Sequence, residues 1–187
     1  MNSFHDDNNW QRGKRDAYLK GWYGKYSHDG RFIFLDKGRF AELVQKQLAA
    51  DTIAQSVDGS VVSIEEKIVR WKGRKYKSIC VETESCTVPG HESPGWGRYG
   101  NFDYLFYCME MENGNLDARM IRGPELLTWF WPRENEFPKH TMDSQNKSRT
   151  RLVPVDMLQE LGFVSYHRII GLDGVVYNAE MENTNHE

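Results

Sequence analysis

A chain of 187 residues that is 39% hydrophobic and 13% aromatic is long enough for one packed domain and too apolar to be disordered. Its 27% charged residues mix both signs to a net charge of −3, so the average surface offers no basic footprint to a polyanion. Cys80, Cys86 and Cys108 show no CxxC spacing, MNSFHDDNNWQRGKRD has no apolar leader, and no apolar run approaches the roughly 18 residues of a membrane span, so the chain is expected to be cytoplasmic, with reduced thiols and no membrane contact.

In chain order, residues 1–15 are polar and read as a flexible lead into one domain over 16–180, with 181–187 as a flexible tail. YLKGWYGKY, the turn Ser27-His28-Asp29-Gly30 and RFIFLD suggest an aromatic N-terminal hairpin. Gly38 to Ala50 places Phe40, Leu43, Val44, Gln47 and Leu48 on helical spacing, and this helix runs directly towards Asp51. DTIAQSV and SVVSIEEKIVRW read as two strands joined by Asp58-Gly59, the strongest hairpin signal in the sequence, and a third strand follows at YKSICVETES. A Gly/Pro-rich loop, CTVPGHESPGWGRYGN, precedes the strand FDYLFYCMEM, and after Asn113-Gly114-Asn115 the stretch LDARMI reads as one more strand. Pro124 suits the first turn of a helix PELLTWFW, Arg133 to Arg149 reads as a loop, and Pro154 starts a helix PVDMLQEL ended by Gly162. FVSYHRII and GVVYNAE are candidate last strands across Asp173-Gly174.

Chemistry concentrates around Ile64-Glu65-Glu66-Lys67. On a strand, Glu65 and Lys67 point one way while Ile64, Glu66 and Ile68 point the other, so a carboxylate and an ammonium share a face. A surface ion pair explains that much equally well. The hairpin through Asp58-Gly59, however, brings Asp51 beside them. Two carboxylates converging beside a lysine suit a hard cation such as Mg²⁺ or Mn²⁺ held by oxygen ligands, and phosphodiester hydrolysis in which the lysine stabilises developing negative charge. On the next strand Glu82 and Glu84 share a face; Glu82, directly after the apolar Ile79-Cys80-Val81, is the favoured further acid, against the reading of an exposed polar strand face. Asp58 is assigned to its turn.

The order of these pieces, QKQLAADTI, DGSVVSIEEK, CVETES, GWGRYGNFDYLFY and a late RLVPVDML, resembles phage and bacterial nuclease domains of the PD-(D/E)XK type from about Gly38 to Leu161. The resemblance implies a restriction-endonuclease-like α/β core, a central mixed sheet of about five strands flanked by helices, with the acidic site at one sheet edge. It implies Asp51 and Glu65 as ligands of Mg²⁺ or Mn²⁺, Lys67 as catalytic lysine and Glu82 as an accessory acid, which its strand position also suits to be a further metal ligand or to orient a water, with Ala50 standing where the motif's name has Pro. The expected partner is DNA, RNA being the other candidate, with homodimerisation left open. The alternative reading is an inactive nuclease-fold protein that binds nucleic acid or a protein.

Gln47, one helical turn before Asp51, is expected over the site, because an inward polar side chain needs a partner. Arg70, Lys72, Arg74 and Lys75 form one basic run and Lys139, Lys147, Arg149 and Arg151 a second; each reads as phosphate contacts or as solvated loop charge. Trp96 suits stacking on a base, with Arg98 on a phosphate and Tyr99 beside it, or else core packing. Cys86 and His91 lack the second pair that a zinc site needs.

Overall fold

The computed structural model describes residues 10–11, 13–35, 39–70, 77–141, 147–171 and 175–178. A π-helical turn, Arg15–Leu19, continues into α1, Lys20–Tyr26. Tyr18, Leu19, Trp22 and Tyr23 follow the spacing of one helix face, and all four are buried. This helix replaces the expected aromatic hairpin: burying the stripe outweighs both the strand preference of the rings and the helix cost of Gly21 and Gly24.

The Ser27 to Gly30 turn forms as expected, with Asp29 and Gly30 both at positive φ (50° and 67°), and leads into β1, Phe32–Phe34. The expected helix appears as α2, Arg39–Leu48, and the expected hairpin as β2, Thr52–Gln55, and β3, Val61–Val69. Gly59 sits at φ 88° in its turn, a conformation an L side chain resists, and Asp58 Oδ1 accepts from Ser60 N–H and Oγ–H, which accounts for the Asp-Gly pair. Then come β4, Ser78–Cys86, the two-residue β5, Ser93–Pro94, the short α3, Trp96–Tyr99, and the hairpin of β6, Tyr104–Glu110, with β7, Leu116–Arg122. The chain continues through α4, Gly123–Phe130, with Pro124 in its first turn, to a 3-10 turn, Trp131–Glu136. It finishes with β8, Lys139–Thr141, β9, Arg149–Pro154, α5, Val155–Glu160, β10, Val164–Ile170, and β11, Val176–Asn178.

The strands form two sheets, so the molecule is mixed α/β but carries more strands than the five or so expected. The larger is seven-stranded in the order β1-β2-β3-β6-β7-β10-β11, with β3 and β6 parallel and every other pair antiparallel. The smaller has the order β5-β4-β9-β8 and is antiparallel throughout. The stretch expected to loop out after Arg133 instead supplies the 3-10 turn and β8, and Arg149 opens β9. β4, which follows β3 in sequence, lifts into the second sheet and leaves β6 to pair with β3.

Alternation along β3 and β6 divides the interior. Ile64, Ile68, Phe106 and Cys108 pack with Tyr18, Leu19, Trp22 and Tyr23 under the N-terminal helix. On the opposite face Leu105, Tyr107, Met109 and Ile121 pack with Ile79, Val81 and Val153 of the second sheet and with Leu126, Phe130 and Leu158 of α4 and α5. Glu65 and Lys67, in register with Leu105 and Tyr107, lie on this second face, between the sheets. β3 is an interior strand, flanked by β2 and β6, which corrects the expectation of a site at a sheet edge.

Candidate functional site

Backbone geometry fixes Asp51 before its side chain is considered. α2 ends through Ala49 in the left-handed conformation (φ 52°), Ala50 is buried, and the chain turns straight into the β2 ladder. Asp51 N–H donates to Ile64 O and Leu35 N–H donates to Asp51 O, both at 2.8 Å. With Thr52 opposite Ile64, Asp51 comes alongside Glu65, and its Oδ2 accepts from the Glu66 N–H at 3.0 Å.

Lys67 Nζ lies 2.7 Å from Glu65 Oε1. The Glu65 side chain is only 7% accessible and that of Lys67 34%, so the lysine reaches the solvent side of the pair. Burial pushes the Glu65 carboxyl up to about 8, the Asp51 carboxylate adding to the rise and Lys67 opposing it. Burial also works against the charge on Lys67, but Glu65, Asp51 and Glu82 outweigh it and keep the ammonium protonated well above its ordinary range. One ammonium is thus within electrostatic reach of three acids.

Glu82, on β4 of the second sheet, is within electrostatic reach of Lys67. Its backbone is clamped by the Gly-Trp-Gly segment: a Cβ on Gly95 would lie 2.3 Å from Glu82 O, and one on Gly97 2.7 Å from the same atom and 2.8 Å from Val81 Cγ1. Two glycines are therefore required for α3 to approach β4. Trp96 between them is 3% exposed, packs edge-on to Phe102 at 5.8 Å, and lies under Lys67, whose Nζ is 6.0 Å from the ring centroid. The base-stacking role considered for Trp96 is corrected by this burial: the indole is part of the core. Tyr99, at the end of α3, is 43% exposed and within electrostatic reach of Glu65, Glu82, Lys67 and Asp51.

On the other face of β3, Glu66 Oε1 accepts from both Tyr23 O–H and Thr52 Oγ–H at 2.6 Å. Burial raises its carboxyl to about 7, with the Asp51 carboxylate contributing and the two hydroxyls opposing. The residue that holds Asp51 through its N–H is thus itself anchored to α1 and β2. Sequence alternation placed Glu66 on that face but gave no sign of its partners, which lie 43 and 14 residues away.

The expected nucleic-acid contacts are dispersed. Gln47 is exposed on α2, so the argument that it needs a partner in the site does not hold. Arg70 stacks over the Trp10 ring at 4.5 Å, and Arg98 over Trp131 at 4.5 Å with Glu134 at 3.6 Å. Lys72, Arg74 and Lys75 lie outside the described residues. In the second basic cluster Arg149 is paired with Glu84 at 2.8 Å and Arg151 with Glu134 at 3.4 Å, so much of its charge is already answered within the protein. The pairing also separates Glu84 from the Glu82 site. Tyr99 is the site residue to which the sequence reading gave no role of its own; its signal was the G-W-G-R-Y spacing itself.

Among the described residues no three of His, Cys, Asp and Glu are close enough together to grip a metal ion by themselves. The Asp51 and Glu65 carboxyls interact directly, and a Mg²⁺-type ion takes only one or two protein carboxylates, so these two are the residues that could hold one. Among the described residues, too, no helix is long and apolar enough to cross a membrane. No protein-family model matches the chain, and neither does any curated protein or solved structure.

Proposed function

We propose that this chain is a metal-dependent nuclease of the PD-(D/E)XK type that hydrolyses phosphodiester bonds, with DNA as the substrate and a restriction-endonuclease-like core as the scaffold. The observation that carries the reading is the Lys67–Glu65 pair at 2.7 Å, one-third accessible on the lysine side, with Asp51 and Glu82 within electrostatic reach of the same ammonium. Acids in excess of one fixed cation, with a carboxyl shifted by burial and a charge partner, are what a divalent ion and a phosphate would balance.

Asp51 and Glu65 would hold Mg²⁺ or Mn²⁺, which supplies a Lewis acid and a more acidic bound water. Asp51 is pre-oriented by the Glu66 N–H, so its carboxylate need not reorganise. Glu65 must be ionised to act as a ligand, and Lys67 favours that form. Lys67, with a third of its side chain accessible, places a positive charge where a phosphoryl oxygen would gain negative charge. Glu82, on the second sheet and within electrostatic reach of Lys67, would serve as the accessory acid that orients water.

The test is incubation of the purified protein with linear, nicked, flapped and single-stranded DNA and with RNA, in Mg²⁺, Mn²⁺ or EDTA. The expected result is metal-dependent cleavage that falls at least ~10²-fold in Lys67→Ala and in Asp51→Ala. Cleavage that survives both substitutions would assign the activity to another site or a contaminant. Binding without cleavage under every cation would favour the inactive nucleic-acid-binding alternative.

A further inference from the structure

Tyr99 occupies a position that its packing does not explain. Its ring is 43% exposed, so it contributes little to the core, while its neighbour Trp96, three residues earlier, is buried. The short helix that carries it is nonetheless tightly placed: Gly95 and Gly97 abut the Glu82 carbonyl, Gly100 N–H donates to Trp96 O at 2.7 Å, and Asn101 N–H donates to Leu48 O at 3.0 Å. Arg98 is drawn aside onto Trp131 and Glu134, away from the acids. The ring of Trp96, three residues earlier on the same short helix, is centred 6.0 Å from Lys67 Nζ, and the Tyr99 phenol one turn on is within electrostatic reach of Glu65, Glu82, Lys67 and Asp51.

We propose that the Tyr99 hydroxyl is a further functional group of this site, donating a hydrogen bond to a non-bridging oxygen of the bound phosphodiester; the assignment rests on the nuclease reading above. Three properties carry it. The group is a donor in a cluster otherwise made of three acceptors and one ammonium, so it adds what a phosphate needs and the carboxylates lack. Burial and the surrounding carboxylates raise its pKa, which keeps the proton on the oxygen at every working pH. Its rigid support on α3 fixes the donor before substrate arrives, which is what makes such a bond effective at a developing charge.

The experiment compares the wild type with Tyr99→Phe, which keeps the ring, and with Tyr177→Phe, a tyrosine of the same 43% exposure on β11 at the far edge of the sheet. Single-turnover cleavage is measured in Mn²⁺. Binding of a fluorescein-labelled oligodeoxynucleotide, of the form cut in the panel above, is measured by anisotropy in Ca²⁺. Tyr99→Phe is expected to slow cleavage at least ~10-fold and to weaken binding about threefold, with an unchanged melting temperature, while Tyr177→Phe matches the wild type. If Tyr99→Phe matches the wild type in both rate and binding, this inference is overturned and the nuclease reading stands. If the wild type neither cuts nor binds any substrate, both fall together.

Discussion

Glu65 is the residue on which the local chemistry turns. Its carboxyl is raised to about 8 in the folded chain by burial, against an ordinary value of 4.5, and Glu66 behind it is raised to about 7 for the same reason. The folded state therefore holds protons that the unfolded chain releases. The resulting stabilisation is complete below about pH 4.5 and is lost as pH rises through 7 to 8. In EDTA, denaturant titrations at pH 5.5 and 8.5 should show the Glu65→Gln variant gaining stability relative to the wild type at the higher pH, on the order of 2–3 kcal/mol. An identical pH slope in the two proteins would mean that Glu65 is not held in a low-dielectric site. Tyr23→Phe addresses the acid behind it: one of the two hydroxyl donors to Glu66 disappears, and the loss should be about 1–3 kcal/mol of stability, read from the midpoint of urea unfolding.

At the scale of elements, the site depends on two turns that permit close approach. The Gly95 to Gly97 segment lets α3 lie directly on β4, and a methyl at Gly95 would meet Glu82 O at 2.3 Å, with backbone on both sides of the clash. Gly95→Ala should therefore cost on the order of 2–3 kcal/mol and displace Glu82, lowering cleavage more than it lowers the melting temperature of remote strands monitored by hydrogen exchange. Unchanged stability in Gly95→Ala would contradict the packing described. Gly59→Ala, at φ 88° in the β2–β3 turn, should cost about 1 kcal/mol by thermal melting, since its added methyl meets little but the backbone conformation is unfavourable. These elements were legible to different degrees. α2, the Asp58-Gly59 hairpin and the Pro124 helix are set by local signals and stand where expected. The N-terminal helix was obscured because its aromatic stripe suits a strand as well as a helix until its burial against Phe106 and Cys108 decides.

At the scale of the molecule, what the sequence could not disclose was which sheet each strand joins. β4 alternates buried Ile79, Val81 and Thr83 with more exposed Cys80, Glu82 and Glu84, a pattern equally suited to a neighbour of β3 or to a strand of a second layer. Glu65 and Lys67 could be placed on one face from period-two spacing alone, and Asp51 beside them from one hairpin. Glu82 comes within electrostatic reach of Lys67 from a strand of the second sheet, a placement that no local signal announces. The arrangement leaves the acids between layers, supported from below by the Glu66 network and from above by α3, a rigid setting for preorganised charge. The measurement that tests this account most directly is single-turnover cleavage of one oligodeoxynucleotide in Mn²⁺ by wild type, Glu65→Gln and Lys67→Ala protein purified in parallel. The account predicts that both variants remain folded by circular dichroism and cut at least ~10²-fold more slowly, with EDTA abolishing the wild-type rate. Equal rates in all three proteins would contradict it.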